Sequence, residues 1–185
     1  MQTAVKIPEP LKLTYKDYLL LPEDRRYEII DGELLMTPSP KTMHQIIIGR
    51  IFRILSEFAE EHDAGKVFIA PYDVVLSKHD IVQPDIIFVS KEGSGIITEL
   101  NIQGSPDMVI EILSPSTKER DLVLKKKLYA AFGIKEYWIV DPENEKITLL
   151  TLGKEGYVAQ KATGIVKSLL LKGLKIDIAK LFKKQ

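Results

Sequence analysis

The spacing of hydrophobic positions changes several times along this chain, and each change marks an element. In "RRYEIIDGELLMTPSP", Tyr27 to Ile30 and Glu33 to Met36 flank Asp31-Gly32, a dipeptide that accepts the positive φ angles of a type I′ turn. A β-hairpin is predicted there. Upstream, Thr14 is placed to cap a short helix through "YKDYLLL" that stops near Pro22. Downstream, Pro38 and Pro40 break the chain and the period lengthens. Ile47, Ile51, Ile54 and Phe58 then form one stripe, with Ile48, Phe52, Leu55 and Ala59 beside it, which predicts a long helix ending ahead of Gly65.

The period shortens again in "KVFIA", "YDVVL", "VQPDIIFV" and "DMVIEIL", four β-rich runs separated by polar or proline breaks. Ser114-Pro115 closes the last of them. Ser116 and Glu119 make an S-x-x-E capping box, so a helix is expected from about Thr117 to Phe132, with Gly133 as its C′ glycine. "EYWIV", "KITLLTL" and "YVAQK" read as further strands, and "IDIAKLFKK" as a short closing helix. The order predicts an α/β (α+β) domain spanning residues 1–185, with a central mixed sheet flanked by helices and an N-terminal helix and hairpin.

Composition narrows the classes. The chain has 185 residues, 45% hydrophobic and 28% charged, enough for one compact core. It has no Cys, so disulfides and thiolate metal sites are excluded, and a reducing, cytoplasmic setting is expected. "MQTAVKIPEP" lacks an apolar signal-like core, and no apolar run approaches the roughly 20 residues that span a bilayer. No membrane partner is expected. Lys+Arg and Asp+Glu are both 26, so the chain is not a general polyanion binder. Charge is nevertheless uneven: bases outnumber acids between Lys118 and Lys135, and lysine predominates in the tail from Lys167. A solvated helix face is the plain account of most of these lysines.

Two acids do not fit the strands that hold them. Along "DMVIEIL", Asp107, Val109, Glu111 and Leu113 share one face, so Glu111 lies mid-strand among apolar neighbours. In "VQPDIIFV", Asp85 shares a face with Gln83 and Ile87, and Pro84 denies the strand a ladder hydrogen bond. Burying an unpaired carboxylate is costly, so each needs a partner. A backbone N–H or a lysine would serve for either alone. For the two together, a hard divalent cation such as Mg²⁺ is the other solution, since one or two carboxylates plus water and phosphate oxygens suffice to hold it. Hydrolysis of a phosphodiester at such a site needs a nearby cation. Asp121, Lys125 and Tyr129 recur at i+4 and share a helix face shortly after the Glu111 strand, so Lys125 is the candidate. Its alternative is a solvated place in Lys125-Lys126-Lys127.

"RYEIIDGEL", a following helix with His44, "QPDIIFV", "PDMVIEILSPST", D-x-x-x-K-x-x-x-Y from Asp121 to Tyr129, and "GIKEYWIVDP" occur in this order. In this the chain resembles the Uma-type family of the restriction-endonuclease-like, PD-(D/E)XK phosphodiesterase superfamily, over roughly Tyr15 to Pro142. The resemblance implies a restriction-endonuclease-like core and a metal-dependent endonuclease, using Mg²⁺ or Mn²⁺ and acting on nucleic acid, DNA first. Asp85 and Glu111 then resemble the metal-binding acids, with the Ile112 carbonyl as a further ligand. The common pattern puts the lysine at the place held here by Leu113; the family recruits one from the next helix, which maps to Lys125. Glu28 resembles a supporting N-terminal acid, with Glu33 as the alternative. His44, Asp121 and Tyr129 fall at supporting positions, although a lone helix histidine is often a packed residue. A homodimer is compatible with cutting two strands. Duplex, branched and single-stranded DNA, and RNA, all stay open as substrates. The runner-up is an inactive nuclease-fold domain that binds nucleic acid or protein.

Overall fold

A computed structural model of the chain describes residues 11–22, 25–37, 39–114, 118–160 and 164–183, with the side chains of 118–121 excepted. Helix α1 (Tyr15–Tyr18) starts at Thr14, whose main-chain N–H and hydroxyl both donate to Asp17 Oδ2, at 2.8 and 2.7 Å. Strands β1 (Arg26–Ile30) and β2 (Glu33–Thr37) form the expected antiparallel hairpin, with φ of 51° at Asp31 and 79° at Gly32. Helix α2 (Thr42–Glu61) buries Ile47, Ile48, Ile51, Leu55 and Ala59, the stripe its periodicity marks.

The chain then forms β3 (Gly65–Ile69), β4 (Val74–Ser77), β5 (Asp80–Val82) and β6 (Ile86–Ser90). After β7 (Ile102–Gln103) and β8 (Met108–Ile112) comes α3 (Lys118–Ala131), followed by Gly133 at φ 74° as its C′ residue. Ser116 and Thr117, the expected start of that helix, lie outside the described residues. Strands β9 (Glu136–Asp141), β10 (Lys146–Gly153), β11 (Gly156–Gln160), β12 (Ile165–Lys167) and β13 (Lys175–Asp177) and helix α4 (Ile178–Phe182) complete the chain. The segment "IDIAKLFKK" therefore divides into the end of β13 and then α4; Asp177 caps the helix, its carboxylate accepting from the Lys180 N–H.

The expected central mixed sheet is present with six strands, and the remaining strands form two further sheets. A six-stranded sheet has the order β11-β10-β9-β8-β6-β3, a five-stranded sheet the order β2-β1-β5-β4-β7, and β12 and β13 pair separately. The expected strand "VQPDIIFV" is split between them. Residues up to Val82 belong to β5 in the smaller sheet, residues from Ile86 belong to β6 in the larger, and Gln83-Pro84-Asp85 crosses the gap. Proline has no N–H to give a ladder, which favours the break at this point.

The six-stranded sheet is covered on both faces. Met108, Ile110 and Ile112 pack with α2, α4 and the β12–β13 pair, around the fully buried Trp138. Val109 and Leu113, of opposite parity, pack with Tyr129 of α3 and with residues of the five-stranded sheet such as Val74 and Val82. Strands β8 and β9 are parallel neighbours. Parallel neighbours need a crossover, and α3 supplies it, so this helix lies back across the sheet face that carries Glu111. No helix among the described residues is long and apolar enough to cross a membrane.

Candidate functional site

The acids singled out in the sequence come together where the two sheets adjoin. Glu28 projects from the middle of β1, Asp85 ends the linker between β5 and β6, and Glu111 is the fourth residue of β8. Helix α3 closes the cluster from above. Lys125 Nζ lies 2.9 Å from Glu28 Oε1 and 3.0 Å from Glu111 Oε1, and the Tyr129 hydroxyl donates to the same Glu111 oxygen at 2.7 Å. The i, i+4 spacing of Lys125 and Tyr129 sets both side chains over one carboxylate.

The remaining bonds orient the acids. Asp85 Oδ2 accepts from the Ile112 main-chain N–H at 2.8 Å and sits 3.2 Å from His44 Nε2 on α2. Glu28 Oε1 also accepts from the Gln83 N–H at 2.9 Å. Glu28 and Lys125 are each only 4% exposed, so this is an ion pair away from water and not a rim contact.

Three carboxylates share this space with one lysine, and the titration of Glu111 reflects it. Burial pushes Glu111 up to about 7; Asp85 and Glu28 add like-charge repulsion, and the nearby ammonium of Lys125 and hydroxyl of Tyr129 offset only part of it. Tyr129 is held well above its usual range by burial and by the adjacent acids. Burial pulls His44 down, but the Asp85 carboxylate and the Ile112 carbonyl outweigh it and raise its pKa, which favours an imidazolium against Asp85. The His44 Nδ1 is buried without a hydrogen-bond partner among the described residues.

This donor set fits a hard cation. Asp85 commits Oδ2 and Glu111 commits Oε1, so among the described residues one oxygen of each, Oδ1 and Oε2, is left for a ligand. Among the described residues no group of three or more His, Cys, Asp or Glu is spaced to hold a metal ion on its own. Coordination would have to be completed by water, main-chain carbonyl and substrate oxygens, which is the ordinary habit of Mg²⁺.

Glu33, the alternative to Glu28, is exposed at the hairpin turn and is not in the cluster. Glu28 itself is not a solvated hairpin residue. The side chain of Asp121 lies outside what the structure describes. Leu113 packs into the apolar core. One further participant, Gln83, escaped the sequence reading: its N–H holds Glu28 while its side chain accepts from Arg26 Nε at 3.1 Å. The available signal was its place two residues before Asp85, on the same strand parity.

The fold is similar to that of a solved protein described as a putative nuclease belonging to DUF820 from Anabaena variabilis. That likeness has a TM-score of 0.77 at 20% identity and covers 92% of this chain and 97% of the other. No curated protein matches the sequence. Residues 15–179 match the Uma2 family, described as "Putative restriction endonuclease", and since the match takes in both sheets and every residue of the acid–lysine cluster, the chain belongs to that family.

Proposed function

We propose that this protein is a Mg²⁺-dependent endonuclease, with Mn²⁺ as a substitute ion, that hydrolyses phosphodiester bonds of DNA at the Asp85–Glu111 cluster. The observation that carries the reading is the buried Glu28–Lys125–Glu111 bridge beside Asp85, with one oxygen each of Asp85 and Glu111 uncommitted among the described residues. Asp85 Oδ1, Glu111 Oε2 and the Ile112 carbonyl would hold the ion. When bound, it supplies Lewis-acid stabilisation of charge on the phosphoryl oxygens.

The protein's own groups do the rest. Lys125 carries a positive charge and N–H donors to the edge of the cluster, where a phosphate would gain negative charge in the transition state. Glu28 acts through Lys125, fixing its ammonium, and is a positioning residue. Tyr129 does the same for Glu111, and His44 for Asp85. A strand of labelled DNA incubated with the protein should be cut with Mg²⁺ and left intact with chelator, and Asp85→Asn should abolish cutting. Persistent cutting in chelator, or by that variant, overturns the metal reading. A complete absence of cutting across DNA and RNA substrates favours the binding-module reading, which the apolar Leu113 and the internally paired Lys125 would then explain.

A further inference from the structure

The acid cluster is not an isolated pit. Beside it opens a cleft of about 680 Å³, a volume in the range of small-molecule and nucleotide sites, whose wall includes Arg26, Gln83, Tyr27 and Met36. Gln83 belongs to both places. Its main-chain N–H donates to Glu28 in the cluster, while its side chain faces the cleft and accepts from Arg26 Nε at 3.1 Å.

Strand parity gives the same arrangement. Arg26 and Glu28 lie on one face of β1, two residues or about 7 Å apart, and their cross-strand partners Thr37 and Leu35 continue that face. The cleft thus begins one step along β1 from the cluster. Its chemistry is mixed. Arg26 commits Nε and Nη2 to Gln83, at 3.1 and 3.4 Å, leaving Nη1 uncommitted among the described residues. Gln83 Nε2 in turn donates to Asp73 Oδ1 at 2.8 Å and to the Tyr18 hydroxyl at 3.0 Å, so the polar floor is held in place before any ligand arrives. The ring of Tyr18, tied through its hydroxyl to Gln83 and Asp73, supplies flat aromatic surface.

A guanidinium nitrogen for phosphate, an aromatic wall and a fixed amide floor suit a nucleotide. A base inside a continuous duplex is stacked and paired and reaches such a cleft only by flipping out, which an unpaired base is spared. Resting on the nuclease reading, we infer that the cleft receives one unpaired nucleotide of the strand being cut, next to the scissile phosphate, and that the substrates are single strands or junctions with unpaired bases instead of uninterrupted duplex. Arg26 is the residue that grips the phosphate of that nucleotide.

The test separates binding from cutting. The full-length protein is titrated, in chelator, into a short fluorescent single strand of DNA, the same sequence as RNA, and the corresponding DNA duplex. Either single strand should bind at least about tenfold more tightly than the duplex. Arg26→Met should weaken single-strand binding and lower the slope of log K against log salt by about 0.7, the signature of one lost phosphate contact. Ser39→Glu places a carboxylate on an exposed residue at the cleft wall, so it should weaken binding about tenfold with an unchanged melting temperature. Equal binding of duplex and single strand, or normal binding by Ser39→Glu, overturns the inference whether or not the protein cuts. Tight, cleft-dependent binding of single strands without any cutting in Mg²⁺ sustains the cleft as a site for an unpaired nucleotide and overturns the nuclease reading on which its place beside a scissile phosphate rests.

Discussion

Replacing Glu111 by glutamine should make the metal-free protein more stable at neutral and alkaline pH. In the folded chain Glu111 is pushed up to about 7 from its usual 4.5, chiefly by burial and then by the charges of Asp85 and Glu28. An acid whose pKa rises on folding binds more protons folded than unfolded. Its ionisation therefore favours unfolding: the stabilising contribution is complete below about 4.5 and is lost as the pH climbs through about 7. That span corresponds to about 3 kcal/mol at about 1.4 kcal/mol per pH unit. Glutamine keeps a carbonyl oxygen for the Tyr129 hydroxyl and for Lys125, and Lys125 retains Glu28 at 2.9 Å, so neither of these donors loses its acceptor. The upper bound for a chain of this length is a rise of about 6 to 12 °C in melting temperature at about pH 8, with little change at about pH 5. Urea titrations in chelator at both pH values measure it. If Glu111→Gln is less stable than the parent at about pH 8, or shows the same pH dependence, the acid supports the fold through its pairs and the repulsion inferred here is wrong.

Mg²⁺ or Mn²⁺ should raise the melting temperature of the parent, since a ligand held only by the folded state stabilises it, and should leave the Asp85→Asn, Glu111→Gln double variant unmoved in differential scanning fluorimetry. Lys125→Met should lower turnover by about 10²-fold or more, and in chelator should cost about 3 to 5 kcal/mol in a urea titration, because it leaves Glu28 and Glu111 facing each other without a cation. Lys126→Met and Lys127→Met, on exposed positions of α3, should keep turnover at saturating substrate; equal losses in all three would identify a nonspecific basic rim. Glu136→Ala should destabilise by about 3 kcal/mol or more, as that buried carboxylate accepts from Trp138 Nε1, the Ser168 hydroxyl and the N–H groups of Leu169 and Leu170. A loss under about 1 kcal/mol would show that water replaces those bonds.

The parts of the site that the sequence reveals are those governed by local periodicity. Parity along β8 separates Glu111 from Ile110 and Ile112, and helix spacing stacks Lys125 and Tyr129, because both regularities depend only on residues a few places apart. Glu28 differs. Its burial depends on the smaller sheet meeting the larger one, and nothing within the hairpin distinguishes it from the exposed Glu33. The approach of His44 to Asp85 likewise joins a helix to a linker about forty residues further on, and no periodicity records it. Strand pairing was missed for the same reason: β12 and β13 are three-residue strands, too short for alternation to show, and β5 reads as continuous with β6 because apolar residues stand on both sides of Pro84.

The crossing of Gln83-Pro84-Asp85 between two sheets also bears on how the protein comes into being. The three acids and the lysine of the cluster are spread from residue 28 to residue 125, and each is carried by a different segment of the chain. A chain emerging from the ribosome exposes its acids long before the lysine that joins them, and those acids converge only when both sheets have formed and docked. Until then it has scattered carboxylates with no common geometry. On the proposed reading, a nascent or misfolded copy would leave the nucleic acid around it intact, and the capacity to act would arrive with the finished fold.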